Sequence, residues 1–579
     1  MFDLDADLAS VLADELDALP AREAAALAGG EDLLGRMFRA WERMDAFELI
    51  AVGRALERRG ELADKHRTRF AIALTAFGFA EEAVQALGRA TEQKHPHLLA
   101  RRAAALAVVG RFGEAEAAAG EALAGLAGFA DARDTLRLAR LARKNLGRAG
   151  SDWEVADRLM PVLLALNARA PAAALARRAL AEGPAVTAET CGRAAGLGLK
   201  ALPLLPAAEL GPLVQALAGR FGERPDVRAL RLKWLVRMGR GAEAAELAAG
   251  LDAGADRDLA IAAAEAFESA GDIGAATALL APLAAGDRAD REARVWLAYC
   301  TGRLALTPEP AWAEPRPART IALFPFYNEL TILKIRLREM APFVDQFVLV
   351  EAGQTFTGAP KPYYFDAFQS QVAEFAPKIV RARLPAFPPA CDHLWAREYF
   401  QRDVAVTALD GLWRPDDRLL VTDVDEIVDG RALEGLEAPL ASLRMRVHRY
   451  FFNYCARPGT PDSNRRSGFV CRAQVLRRFG SSYTRIGLLD HLHEWFGAPG
   501  AGWHLTSIGD AEFISDKFRN FSHQETGKAA LRDAGQTAER LQAMRAGLHE
   551  EAWERRELDD SFPLYVREHA EELGGFMLD

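Results

Sequence analysis

Four prolines in eleven residues, Thr307-Pro-Glu-Pro-Ala-Trp-Ala-Glu-Pro-Arg-Pro317, divide this chain into two parts with different grammars. Proline lacks an amide hydrogen and clashes with the preceding turn, so such a stretch cannot lie inside a helix and favours an extended, semi-rigid linker. Before it, residues 1–306 are dense in Ala, Leu, Arg and Glu, poor in β-branched residues, and apolar at helical spacing, as in Leu230-Arg-Leu-Lys-Trp-Leu-Val-Arg-Met238. After it, residues 318–579 alternate strand-forming runs with helical ones, the pattern of an α/β sheet. A chain of 579 residues exceeds one core, and its length suggests about three or four domain-sized units.

In the helical half, glycines recur at a fixed interval: Gly78 to Gly110 is 32 residues, Gly239 to Gly271 is 32, and Gly271 to Gly302 is 31. Alanine stands five places later at Ala83, Ala115, Ala244 and Ala276. This period belongs to helix-turn-helix solenoids, and Ala105-Leu-Ala-Val-Val-Gly-Arg-Phe-Gly-Glu-Ala115 resembles a tetratricopeptide repeat. The alternative is an alanine-rich composition that produces these spacings by chance. The later alanine of the repeat is present at Ala90 and Ala122 but replaced by Leu251 and Leu283, and residues 150–230 show no clear register. Solenoids present concave surfaces that bind proteins or peptides.

Composition excludes several functions. A net charge of -9 leaves no basic footprint for nucleic acid or an anionic membrane. Cys191, Cys300, Cys391, Cys455 and Cys471 are scattered, odd in number and without a C-x-x-C pair, which argues against a disulfide framework or zinc site. The acidic start Met-Phe-Asp-Leu-Asp-Ala-Asp is unlike a secretory signal, and no apolar run is long enough for stable membrane insertion. A cytoplasmic protein is expected.

In the second half, Thr320–Phe326 reads as a first strand, Leu330–Met340 as a helix, and Gln346–Glu351 as a second strand. Lys378–Arg383, a helix around Trp395–Leu409, and the run Arg418-Leu-Leu-Val-Thr-Asp-Val-Asp-Glu-Ile427 follow. That last run ends in Asp423, Asp425 and Glu426, at the carboxyl end of a buried strand, where active sites of open α/β sheets sit. Two aspartates one residue apart can hold a hard divalent cation; an acidic, solvated turn is the plainer alternative.

Several segments together resemble glycosyltransferase family 17, whose best-known members add N-acetylglucosamine in β1,4 linkage to a mannose of N-glycans. They are Phe324-Pro-Phe-Tyr-Asn-Glu-Leu330, Val344–Glu351, Thr357-Gly-Ala-Pro-Lys-Pro362, Arg414-Pro-Asp-Asp417, Asp423-Val-Asp-Glu-Ile427, Tyr450-Phe-Phe-Asn-Tyr454, Gly502-Trp-His504 and Lys517, in family order. The resemblance implies a GT-A type nucleotide-diphosphosugar fold with a C-terminal helical tail, a UDP-sugar donor, Mn²⁺ or Mg²⁺, and inversion at the anomeric carbon. It covers nothing before the proline segment. Three departures stand out. A helical array replaces the membrane anchor of the animal enzymes, Leu505 stands where their motif has cysteine, and residues 457–500 align poorly.

The metal ligands expected are Asp425 first, then Asp423 through water or the donor ribose, and His504; Glu426 instead orients a neighbour. His504 is either a ligand or a histidine packed behind Trp503. Lys517 and His523 are placed on the donor phosphates, with a solvated helix position as the alternative for Lys517. Asn328, Glu329 and Glu351 are expected near the nucleoside, Asn328 serving otherwise as a helix cap. Arg397 is a candidate phosphate contact, whereas Glu398 and Arg402, four apart on a helix, read as a surface ion pair. Asp490 and Glu494 are the expected catalytic bases, with Glu512 and Glu525 as further candidates; His491 and His493 lack a third ligand nearby. The function expected is metal-dependent transfer of a sugar from UDP to a glycan or protein hydroxyl. The alternative is a repeat scaffold with a non-catalytic sugar-nucleotide domain.

Overall fold

The computed structural model describes residues 4–29, 32–250, 256–285, 290–306, 312–314, 316–434, 436, 438–492, 495–522, 526–548 and 550–578. By packing, the chain forms two compact units, Ala13–Asp272 and Ile273–Asp579, with Phe2–Leu12 counted in the second.

The first unit is helical among its described residues and built from antiparallel hairpins. Asp64–Ala76 turns into Ala80–Gly88, Pro96–Val108 into Phe112–Gly125, and Pro225–Arg237 into Gly241–Ala249. The turns need left-handed backbone: Gly78, Gly110 and Gly239 have φ of 87°, 81° and 72°. At Gly78 and Gly239 an added Cβ would meet nothing within 4 Å, so handedness rather than space demands glycine there. Ala83, Ala115 and Ala244 are fully buried where each second helix packs on its first. The stretch without a legible register is also helical, with Trp153–Ala165 turning into Arg169–Glu182 at Asn167, φ 54°. Asparagine, which tolerates the left-handed conformation, takes the turn glycine's place there. Gly302 breaks the expected series: it lies inside the helix Arg291–Ala305, where an added Cβ would come within 4 Å of the Asp403 carboxylate and the Gly480 backbone.

In the second unit, helices α1 (Ile273–Leu283) and α2 (Arg291–Ala305) precede eleven strands among its described residues. These are β1 (Thr320–Phe326), β2 (Gln346–Ala352), β3 (Ile379–Leu384), β4 (Arg418–Val421), β5 (Glu426–Val428), β6 (Leu440–Arg449), β7 (Tyr454–Ala456), β8 (Arg465–Arg472), β9 (Gly497–Ala498), β10 (Gly502–Thr506) and β11 (Trp553–Arg555). Helix α3 (Leu330–Met340) connects β1 to β2, and α4 (Leu394–Val404) lies between β3 and β4. The main sheet runs β11-β7-β6-β8-β4-β1-β2-β3. β3, β2, β1 and β4 are parallel; the apolar runs of β2, β1 and β4 are buried on both faces, while β3 is the partly exposed edge. From β4 outward the sheet turns antiparallel through β8, β6, β7 and β11. Two further helices, α5 (Ala511–Asn520) and α6 (Ala534–Arg545), follow β10. The tail expected to be helical thus also supplies an edge strand, β11.

Most of the proline-rich segment lies outside the described residues. Its described part docks: the Trp312 ring lies 5.0 Å from that of Trp413, and Arg316 donates to both oxygens of buried Asp417 at 2.7 and 3.0 Å. Among the described residues no helix is long and apolar enough to cross a membrane, and the five cysteines are buried and form no disulfide.

Candidate active site

Chain order reverses between β1 and β4: the strands after β1 build outward through β2 and β3, and the chain then returns to β1's other side. Crevices outside the carboxyl ends of parallel strands at such a switch point bind ligands. A cavity of about 570 Å³ opens there, lined by Tyr327 and Glu329 after β1, Asp423–Glu426 after β4, and residues of α4, β10 and α5.

The acidic loop is fixed from below by Arg336, a fully buried residue of α3 that the sequence reading missed. Its guanidinium donates to the carbonyls of Asp423 (3.0 Å) and Glu426 (2.8 Å) and to Thr422 Oγ1 (2.6 Å), over the Phe324 ring. Burial pulls its pKa down to about 10, against the pull of Glu426 and Asp423. Glu426 closes the loop by accepting from the Asp423 amide at 2.8 Å, the orienting role expected of it.

Each aspartate has a cationic partner. Asp423 receives Arg402 on both oxygens at 3.0 and 3.1 Å, with Arg485 at 3.6 Å. Burial works against its ionisation, but Arg402 and Arg485 prevail and hold the carboxyl well below the usual range. Arg402 also donates to Glu398 at 2.5 Å, and both are buried. The expected surface ion pair is therefore an interior one that anchors Asp423, because the face of α4 bearing both residues turns into the cavity. Asp425 receives Lys517 Nζ at 2.9 Å, and Lys517 lies 3.4 Å from Glu329. Burial opposes the charge on Asp425, yet Lys517 and His504 outweigh it and its pKa falls.

His504 reaches this loop through β10, which runs parallel to β6 and antiparallel to β5, so that His504 pairs with Glu426. The Leu505 amide donates to the Asp425 carbonyl at 2.7 Å. Gly502, at φ 141°, permits the approach, since a Cβ there would lie 2.0 Å from the Ile427 carbonyl oxygen. His504 Nε2 stands 3.7 Å from Asp425 Oδ1, and its Nδ1 lies 3.4 Å from Ser467 Oγ. Among the described residues, no three of His, Cys, Asp or Glu converge as a metal-binding group.

Of the expected site residues, Glu329, Asp423, Asp425, His504 and Lys517 line one cavity. Glu351 is not among the lining residues: it accepts from the Tyr364 and Phe365 amides and lies 3.5 Å from Lys361, tying down the segment after β2. Burial raises its pKa against those contacts. Arg397 donates to the Phe356 carbonyl at 2.9 Å and pairs with Asp392, so it holds a loop. Asn328 makes no side-chain cap, and its Oδ1 is buried without a partner among the described residues. Asp490 is not a lining residue and pairs with Arg466 and Arg291. His523, Glu525, His493 and Glu494 lie outside the described residues. Tyr450, which the sequence reading placed only within a family-like segment, and Ser507, which it missed, line the cavity with φ of 69° and 55°. They end the adjacent parallel strands β6 and β10, and left-handed non-glycine residues at a cavity mark stored strain.

Residues 310–465 match glycosyltransferase family 17. The segment includes Asp423, Asp425 and Arg402 but not His504 or Lys517. The chain is similar to the β-1,4-mannosyl-glycoprotein 4-β-N-acetylglucosaminyltransferases of rat and human, at 32% identity over 160 residues; the match spans 25% of this chain and 29% of each relative. Among solved structures, similarity is found to a tetratricopeptide repeat protein of Parabacteroides merdae, at 12% identity and a TM-score of 0.18, over 43% of this chain and 89% of that one. A second is the Naa15/Naa10 complex bound to HypK, at 18% identity and a TM-score of 0.17, over 49% of this chain and 46% of that one.

Proposed function

We propose that this protein is an inverting glycosyltransferase that moves a sugar, N-acetylglucosamine in the first instance, from a UDP-sugar to a hydroxyl of a glycan or protein. The observation that carries this reading is the meeting of Asp425 and His504 at the β1/β4 crevice, in a unit whose 310–465 segment matches family 17. A GT-A arrangement follows from the same reading, with the parallel strands β3-β2-β1-β4 carrying the nucleotide and the antiparallel strands the acceptor.

A divalent metal fits Asp425 and His504 but not Asp423. Donor atoms 3.7 Å apart can share one ion at about 2.1 Å from each, whereas both Asp423 oxygens are taken by Arg402. When bound, such an ion supplies positive charge to the leaving diphosphate. The chain's own residues do the rest. Lys517, once released from Asp425, turns its ammonium to a phosphate oxygen. Tyr327 and Glu329 border the nucleoside. Asp423 stays ionised on Arg402 and keeps the loop in place. The acceptor proton needs a base; because Asp490 is engaged by two guanidiniums, Glu494 is the proposed base. The proposed domains are the helical array to residue 306, the linker 307–317 and the transferase from 318. The array binds the acceptor or a partner protein, and the setting is cytoplasmic.

The test is UDP release. Purified protein with Mn²⁺ and a panel of UDP-sugars is expected to release UDP slowly without acceptor, and Asp425→Ala to abolish it. UDP binding that is indifferent to Mn²⁺ and to Asp425, with no turnover, would point instead to a non-catalytic sugar-nucleotide binder.

A further inference from the structure

The cavity is richer in cations than a UDP-sugar requires. Among its described lining residues, nine Lys or Arg face five Asp or Glu, in a chain whose net charge is -9. The acids are already matched: Asp423 and Glu398 by Arg402, Glu426 by Arg485, and Asp425 and Glu329 by Lys517. A diphosphate brings two negative charges, which a divalent metal offsets.

Of the other six, Lys361 lies beside Glu351, and five arginines remain: Arg294, Arg449, Arg465, Arg466 and Arg540. Arg449 and Arg540 share one carboxylate, Glu550, and both lie over the Tyr450 ring, at 5.2 and 5.6 Å. Arg466 shares Asp490 with Arg291. Arg465 makes an exposed contact with Asp462 at 3.4 Å. Arg294, on α2, stacks over Trp395 at 4.2 Å and reaches Tyr399 Oη at 3.5 Å, and it meets no carboxylate among the described residues. Its Nε is buried and unpartnered. Four of the five thus pair with carboxylates that are not themselves lining residues, and Arg294 with none among the described residues, so these walls turn their guanidiniums rather than their acids to the cavity. Confined cations beside low-dielectric walls focus field on whatever enters.

On the strength of the proposed transfer, we infer that the acceptor is an acidic glycan, one whose sugar at or next to the receiving hydroxyl carries a carboxylate or phosphate. Arg449 and Arg540, held by Glu550 and packed over the buried Tyr450 ring, present planar donor forks suited to carboxylate or phosphate oxygens. The left-handed turn at Tyr450 is held by the cluster of Val447, Phe451, Tyr454, Ile514, Met544 and Trp553, so the two guanidiniums are placed in advance. Arg294 extends the charged wall from a helix outside the family-matched segment, which makes charge selection a property of this chain's own architecture.

Binding tests this apart from catalysis. With UDP and Mn²⁺ present, glucuronic acid is compared with glucose, and mannose 6-phosphate with mannose, by ligand-observed NMR titration. At least one charged sugar is expected to bind about tenfold or more tightly than its neutral twin; which pair shows the effect tells carboxylate from phosphate. The advantage is expected to shrink several-fold in Arg540→Ala and Arg449→Ala, and, in the unmodified protein, between about 50 and 500 mM NaCl. Equal binding within both pairs overturns the inference, as does tighter binding of a Glu-rich peptide than of either charged sugar. Charged-sugar binding without UDP release from any UDP-sugar upholds the anionic site and refutes the transferase reading alone.

Discussion

Removing Arg402 tests how the site is built. Its guanidinium bonds both oxygens of Asp423 and one of Glu398, with Arg402 and Glu398 only 9% and 4% exposed. Arg402→Ala strips its counter-ion from buried Glu398 and from Asp423, whose side chain is 25% exposed, with Arg485 at 3.6 Å the nearest remaining cation to Asp423. Stripping one partner from a buried ion pair costs about 3–5 kcal/mol. With an unfolding entropy of about 2 cal/mol/K per residue over a unit of roughly 300 residues, that lowers Tm by about 5–8 °C. The effect has a pH signature. A carboxyl whose folded pKa is depressed stabilises the fold above its unfolded value, near 3.9, and loses that contribution as pH falls through the folded pKa. Burial opposes ionisation of Asp423 but Arg402 and Arg485 overcome it, so the wild-type gain is complete at pH 7. The Arg402→Ala penalty is therefore expected to be full at pH 7 and to shrink below about pH 4. Thermal melts at pH 7, 5, 4 and about 3 measure it, with Arg402→Met separating charge from volume. A loss under about 1 °C at pH 7, or a penalty that grows towards pH 4, would refute the idea that Arg402 is the buried counter-ion of Asp423.

Asp403 behaves in the opposite sense. Burial pushes its pKa up to about 7; one oxygen accepts from the Ser481 and Ser482 amides while the other has no partner among the described residues. A raised carboxyl contributes stability below its unfolded pKa and loses it as pH rises through the folded one, so Asp403→Asn is expected to flatten the stability profile between about pH 4 and 7. Urea unfolding at pH 5 and 8 reads this, and an unchanged difference between the two counts against the ionisation. In the helical unit, Gly239→Ala is expected to cost about 1–2 kcal/mol through its left-handed backbone alone, since the added methyl meets nothing. Asn167→Gly at the corresponding turn is expected to raise Tm; calorimetry that finds Gly239→Ala neutral would show that the turn relaxes.

The sequence placed β1, α3 and β2 within a residue of their observed ends, because buried parallel strands and an amphipathic crossover helix leave unambiguous local patterns. The Asp423–Glu426 loop was legible for the same reason. What escaped depended on distant packing. Spacing of four on a helix is identical for a surface pair and for Glu398–Arg402, and only the neighbours of α4 decide between them. Arg336 looks like an ordinary helix arginine until β4's loop is laid over it. Asn167 hid a turn because periodicity was sought in glycine, and Gly302 imitated one while standing in a helix interior. The antiparallel half was unread because β6, Leu-Ala-Ser-Leu-Arg-Met-Arg-Val-His-Arg449, intersperses arginines among its apolar residues.

The placement of β10 has a consequence for how such a protein can change. Asp425 and His504 are 79 positions apart in the chain, yet the ladders to β5 and β6 fix them to each other, and a slip of one residue would present Trp503 or Leu505 in place of His504. The intervening 429–501 stretch supplies part of that clamp, since β6 pairs with β10 and β8 with β4, so those strands cannot change length without releasing His504 or the acidic loop. Variation is confined to the connections between strands, such as 457–464 between β7 and β8, where a loop held at its ends tolerates changes of length at small entropic cost. A new acceptor pocket can be shaped there while the pair that faces the donor keeps its spacing.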